Sequence, residues 1–492
     1  MWLLILLVGP SPHVNGSCSK GNSVFSSLSA SSAFRRGAAR LTAATLVSGL
    51  AVAALLGSAG MAAADTTPQS EGGATATMGG LKTYGAAVIH DGGTDEQVSA
   101  GLFEMSVDGG GTLQTYCIDI HNPAQKDSRY QETPWSGTSL SGNRNAGKIR
   151  WILSHSYPQV NDLAALAAEA GAKGLTEQDA AAGTQVAIWR YSDDADVDAV
   201  DSQAEKLADY LQKHAQNIPE PAASLTLEPA AVSGHPGELL GPVTVHTDAD
   251  SVTVTPPVDA TTSDVKIVDK DGTEITSATN GERVYFEVPE KAQNGSAEVT
   301  VQASTTVPVG RAFASETRSQ TQILAGSSES TVAATATANW AATGAIPALS
   351  AEKNCAKGGV DITAVNKGDE AFTFELMGVS HTIPAGRTQI VTIPLQEDQA
   401  YDFTIKGSDG YEKWFKGVLD CKTESSTGGL RAQTFSEPSP ATVGGTAATD
   451  TNLAETGASS MTPIIAGTAI GLVLIGGATL LLLRDKQQPT RD

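Results

Sequence analysis

The 492-residue chain holds four cysteines, and their arithmetic leaves one over. Cys18 lies in an N-terminal segment expected to be absent from the mature chain. Cys355 and Cys421 flank one compact stretch and are the natural disulfide pair, whose closure contributes roughly 3–4 kcal/mol in the chain-entropy model. Cys117 is then alone in an oxidising compartment, where a free thiol is a liability. It must be buried or bonded. It stands in Thr115-Tyr116-Cys117-Ile118-Asp119-Ile120. A second chemically suggestive run follows downstream, Thr184-Gln185-Val186-Ala187-Ile188-Trp189.

The elements around these runs form a mixed block, residues 81–220. Leu102–Val107 and Thr112–Ile120 alternate like half-buried strands. Ala146–Ser154 and Leu163–Ala170 read as short helices. Thr176 has the type of an N-cap, with Asp179 three residues on. The helix it starts places Ala181, Gln185, Ile188 and Trp189 on one face, so Gln185 points inward among apolar neighbours. A second helix is expected from about Val197, with Val200, Ala204, Leu207 and Leu211 on one side. Pro219 and Pro221 close the block.

With those residues in view, residues 81–218 resemble the thioester domains of Gram-positive surface adhesins, and Thr-Gln-x-Ala-Ile-Trp is the specific part. The resemblance implies an α+β head, a β-sandwich or barrel with a helical subdomain. It assigns an internal thioester to the Cys117 thiol and the Gln185 side chain. The chemistry stands on its own terms: a thiol held against a side-chain amide can displace ammonia, because fixed geometry supplies a very high effective molarity. The acyl group survives only where apolar neighbours exclude water, a role open to Tyr116, Ile188 and Trp189. Asp119 and Thr184 either polarise the amide or hold a turn. An amine- or hydroxyl-bearing surface target would attack the Gln185 carbonyl and release Cys117. One molecule then bonds one target once, which is capture and not enzymatic turnover. No cofactor and no metal site is read from the sequence.

Rival chemistries are poorly served. A cysteine hydrolase needs a positioned histidine; His121, His155 and His214 are the candidates, but no protease-type sequence surrounds Cys117. Gly-x-Ser-x-Gly, HExxH, phosphate-loop and EF-hand patterns are missing. Asp193, Asp194, Asp196 and Asp198 read as a solvated acidic loop before a calcium site. A formal charge of −22 repels phosphate backbones and argues against nucleic acid as a partner. The non-chemical alternative is a passive stalk or a head that binds its ligand non-covalently.

The rest of the chain reads as multidomain and β-rich. Gly, Ala, Thr, Ser and Val dominate, and aromatics are only 5%, which suits extracellular modules on linkers. Residues 65–80 read as a flexible leader. Residues 222–335 carry short alternating runs with turns at Asp271-Gly272 and Asn280-Gly281, as a β-sandwich would. Residues 351–422, bracketed by Cys355 and Cys421, suggest a second immunoglobulin-like sandwich, with Val360–Val365 and the turn Asn366–Asp369 opening a hairpin. Lys266 and Lys270 lie near plausible strands for an isopeptide crosslink, without a distinctive motif. Residues 423–452, rich in Ser, Thr, Gly, Ala and Pro, cannot bury enough surface to fold and read as a disordered, wall-spanning stalk.

The two ends read as addresses. Arg35, Arg36 and Arg40, an apolar run and Ala62-Ala63-Ala64 make a secretory signal peptide within residues 1–64, cleaved between Ala64 and Asp65. Met1–Val8 fits that signal badly, so translation is expected to start downstream, near Val24. At the other end Leu453-Ala454-Glu455-Thr456-Gly457 precedes an uncharged span, 463–483, and a short basic tail, 484–492. This order resembles a sortase sorting signal of the type used by actinobacterial surface proteins, with Ala in place of the usual Pro. The resemblance implies that a sortase cuts after Thr456 and joins it to peptidoglycan, leaving a secreted, wall-anchored protein whose transmembrane segment serves before sorting.

Overall fold

The computed structural model describes residues 71–423, apart from residues 92, 258–263 and 408–409. The signal segment with Cys18, Ala64 and Asp65, the stalk, the sorting motif and the apolar span 463–483 lie outside the described residues. Among those described, no helix is long and apolar enough to cross a membrane.

The head is built on a seven-stranded sheet. Its order is Thr94–Val107, Thr112–Cys117, Gln322–Ser327, Ala312–Ser315, Arg129–Thr133, Thr75–Asp91 and Val197–Ala199. Thr75–Asp91 also pairs along its length with Thr94–Val107, so six of the strands close into a barrel. Closure removes the open edges that would otherwise leave backbone groups unpaired.

Two expectations change here. The leader expected over 65–80 overlaps a strand that begins at Thr75. Ala74, Ala76 and Met78 are wholly buried. Their small side chains look like a linker by composition, yet they alternate inward with period two. Second, Ala312–Ser315 and Gln322–Ser327 fall inside 222–335 but complete the head barrel. Ladder pairing across some 200 residues leaves no local signature, so the block boundary was invisible in the sequence.

The remaining strands of 222–335 form two sheets. One has the order Lys266–Val268, Arg283–Glu287, Leu239–Thr247, Leu225–Glu228. The other runs Ser277–Ala278, Val252–Thr255, Gly295–Thr306, Glu329–Trp340, Ala231–Gly234, its last pairing parallel. One continuous apolar core runs through the head and these sheets. At their junction the buried Glu132 carboxylate accepts from Arg311 Nε at 2.9 Å, Ser224 N at 2.9 Å and Ala74 N at 3.1 Å.

Residues 347–418 have their own core, centred on Leu349, Ile362, Phe372 and Phe415. Cys355 and Cys421 are joined by a disulfide. The expected hairpin after Val365 does not form. Gly359–Asn366 pairs instead with Pro347–Asn354 and Thr388–Pro394. The reason is the buried Asn366 side chain. It accepts from Ile346 N and donates to Glu370 O and Ile383 O, which leads the chain away from its own strand.

Candidate functional site

Cys117 is the last residue of Thr112–Cys117, and the chain then turns away from the sheet at Ile118. The strand ends three residues short of the alternation to Ile120, because Ile118 to Asn122 form a loop tied by side chains. Asp119 Oδ1 accepts from His121 N at 3.2 Å and Oδ2 from Asn122 Nδ2 at 2.5 Å. Asp119 therefore holds the turn.

Gln185 sits in the helix Glu177–Ser192. Thr176 caps it, with the reciprocal Asp179 bond of a capping box. The next helix starts later than expected, at Ser202 behind an Asp201 cap, because Val197–Ala199 joins the sheet as an edge strand. Val200 is consequently exposed, while Ala204, Leu207 and Leu211 pack inward. Gly183 lets the two helices meet closely: a Cβ there would lie 2.4 Å from Ala204 O.

The helix delivers the Gln185 carboxamide to the Cys117 backbone. Gln185 Oε1 accepts from Cys117 N at 2.9 Å, and Nε2 donates to Cys117 O at 2.9 Å. Both residues are fully buried, as are Tyr116, Asp119, Thr184 and Ile188, with Trp189 nearly so. The amide thus clasps the end of the strand as a neighbouring strand would, and both polar edges of the carboxamide are satisfied.

The sulfur is enclosed as well. Asp119 N donates to Sγ at 3.2 Å, and the Trp189 indole approaches it. Burial first, then the charges of Asp193 and Asp119, push the Cys117 thiol well above its ordinary value. A thiol here is held neutral and shielded from solvent. Tyr116 donates its hydroxyl to Tyr157 O at 2.8 Å. Thr184 Oγ1 bonds Ala180 O at 2.6 Å and Ser156 Oγ at 2.5 Å, so its hydroxyl is engaged on the Tyr116 side.

Several residues at the site carried no sequence signal, and Asp193, read from the sequence as part of a solvated loop, turns inward to join them. Gln322 lies opposite Cys117 in the ladder. Ile118 N donates to Thr321 O at 3.1 Å, and Gln320 Nε2 donates to Asp119 O at 2.8 Å. Asp193 Oδ1 accepts from Ile120 N at 3.0 Å, and burial raises this carboxyl to about 6. A polar Ser-Gln-Thr-Gln run in a β-rich region looks like a surface segment; only the barrel shows it as the backing of the Cys117 loop.

The other sequence candidates separate. His155 and His214 are exposed and each is bonded to its own helix; His155 stacks on Trp151, and His214 lies tilted against Tyr210. Asp198 pairs with Arg190 at 3.0 Å while Asp193 turns inward, so the acidic loop does not converge on one point. Lys266 and Lys270 are exposed and pair with Glu274 and Asp271.

Residues 114–217 match a family model described as thioester domain. This segment is similar to thioester domains. Among solved structures, the Bacillus anthracis TIE protein is 13% identical over 72% of this chain and 81% of its own, with a TM-score of 0.25. The thioester domain of the Enterococcus faecium TIE86 protein is 14% identical over 55% of this chain and 97% of its own, with a TM-score of 0.26. The E. coli chaperone DraB is 12% identical over 40% of this chain and 98% of its own, with a TM-score of 0.15. No curated protein matches the chain.

Proposed function

We propose that this protein is a surface adhesin that bonds covalently to an amine- or hydroxyl-bearing target through a thioester between Cys117 Sγ and Gln185 Cδ. The observation that carries this reading is the buried clasp between the Gln185 carboxamide and the Cys117 backbone. Thioester formation makes an S–C bond, breaks the C–N bond of the amide and releases ammonia, which takes the thiol proton. Capture reverses the sense at the same carbon. A target amine forms an N–C bond, the S–C bond breaks, and the proton lost by the amine restores the thiol. The amide product does not turn over, so the protein binds once and is not an enzyme.

Tyr116, Ile188 and Trp189 serve as the water-excluding wall. In this reading the two sheet regions beyond the head are immunoglobulin-like modules that display it. A sortase acting at Leu453–Gly457 would join Thr456 to peptidoglycan, after export and cleavage between Ala64 and Asp65. The chain is then a tether with two covalent ends.

Intact mass tests the head chemistry. The native protein should lack the mass of one ammonia and gain methylamine on exposure to it, whereas Cys117→Ala should do neither. A full, unmodified mass with no methylamine adduct in freshly purified protein would sink the thioester.

A further inference from the structure

On the far side of the Ile118–Asn122 loop, carboxylates gather where the disulfide-bonded region meets the head. Asp420 immediately precedes Cys421, and Thr321 Oγ1 donates to its Oδ2 at 2.5 Å. Asp420 is part-buried, and its Oδ1 is closed to solvent and, among the described residues, has no hydrogen-bond partner. Glu397 and Asp398 each offer an oxygen to the same point, and the three oxygens lie within 4.8 Å of one another. Glu397 Oε1 accepts from Cys421 N at 2.6 Å and Lys422 N at 2.9 Å. Asp398 Oδ2 pairs with Arg318 Nη2 at 2.6 Å.

The charge at this junction is unbalanced. Asp119 faces Asp420 from the head, and Asp193 adds to the repulsion. Arg318 answers one carboxylate of the five. An enclosed carboxylate oxygen with no donor is costly unless a proton or a cation meets it.

We propose that Glu397, Asp398 and Asp420 form a calcium site that fastens the disulfide-bonded region to the loop beside Cys117. The donors are all carboxylate oxygens, which selects hard cations over zinc or copper. They come from the turn at Glu397 and Asp398 and from the segment before Cys421, with no regular polyhedron imposed. Calcium accepts such sets and completes its shell with water, whereas magnesium demands a near-ideal octahedron. The half-exposed side of the cluster leaves room for that water. Bound there, the ion satisfies Asp420 Oδ1 and offsets the repulsion between Asp420 and Asp119. It thereby secures the chain Asp420–Thr321–Ile118.

Calcium titration of the EDTA-stripped full chain at pH 7.5, by calorimetry, tests this. One equivalent of calcium should bind, with magnesium at least tenfold weaker, and the melting temperature should rise with calcium. Asp420→Asn and Glu397→Gln should each lose binding and the calcium-dependent shift; melting without calcium reports whether each variant is folded. Cys117→Ala should bind like the native protein, which separates this site from the thioester reading. No binding at millimolar calcium, equal binding of magnesium, or unchanged binding in both carboxyl variants would overturn the proposal.

Discussion

Gly183→Ala isolates the contact that aims Gln185. An added Cβ would sit 2.4 Å from Ala204 O and 3.1 Å from Leu207 Cβ. The first obstacle is backbone and cannot rotate away. Restoring ordinary contact, taken as 3.4 Å, requires the helices to part by about 1 Å. Such overpacking costs about 1–3 kcal/mol. Alanine's better helix propensity returns about 1 kcal/mol of it. The net loss of stability is therefore modest. The effect on the site is larger, because both clasp bonds are 2.9 Å and a displacement of about 1 Å in the helix takes them out of hydrogen-bond geometry. A misplacement of that size lowers the rate of an oriented reaction by about 100-fold. The assay follows ammonia loss by intact mass from the time of synthesis, beside a denaturant melt. Gln178→Ala, on the exposed face of the same helix, serves as the control. If Gly183→Ala forms the thioester as fast and as fully as the control, helix approach is not what positions Gln185.

Three other outcomes follow from the packing. Arg311→Met leaves the Glu132 carboxylate buried without its cation and should cost about 3–5 kcal/mol in urea unfolding, with Glu132→Gln/Arg311→Met recovering part of it. Asp193 rises from 3.8 to about 6 on burial, so the native state binds the extra proton and stability falls as pH climbs through that window. The loss amounts to about 3 kcal/mol, and Asp193→Asn, which can still accept from Ile120 N, should flatten the stability difference between pH 4 and pH 7. The disulfide closes 66 residues, so Cys355→Ser/Cys421→Ser should cost the region it encloses about 4 kcal/mol, read as an earlier unfolding transition; an unchanged transition would show that packing alone holds it.

The helical half of the head was legible because its signals are local. The Thr176 cap, the Asp179 bond and the inward face of Gln185 all follow from residues within a few turns of one another. The odd count singled out Cys117 and helical spacing put Gln185 on an inward face, while their pairing came from the resemblance to thioester domains. The pairing of Cys355 with Cys421 was equally plain from their placement around one stretch. Each of these depends on spacing along the chain, which is what a sequence displays.

What the sequence left open is which distant segments share a sheet. Composition made Thr75–Met78 a leader, while the barrel makes it a strand, because burial there is set by neighbours and not by side-chain size. The strand Gln322–Ser327 reached the Cys117 strand only through a ladder whose donors and acceptors are common to every residue. The same anonymity hid Thr321, Gln320 and Asp420, whose roles exist only by juxtaposition. Sequence named a candidate thiol and amide and the helix that carries the amide. Tertiary structure alone decided what backs the Cys117 loop, because backbone pairing and buried charge depend on proximity that spacing does not encode.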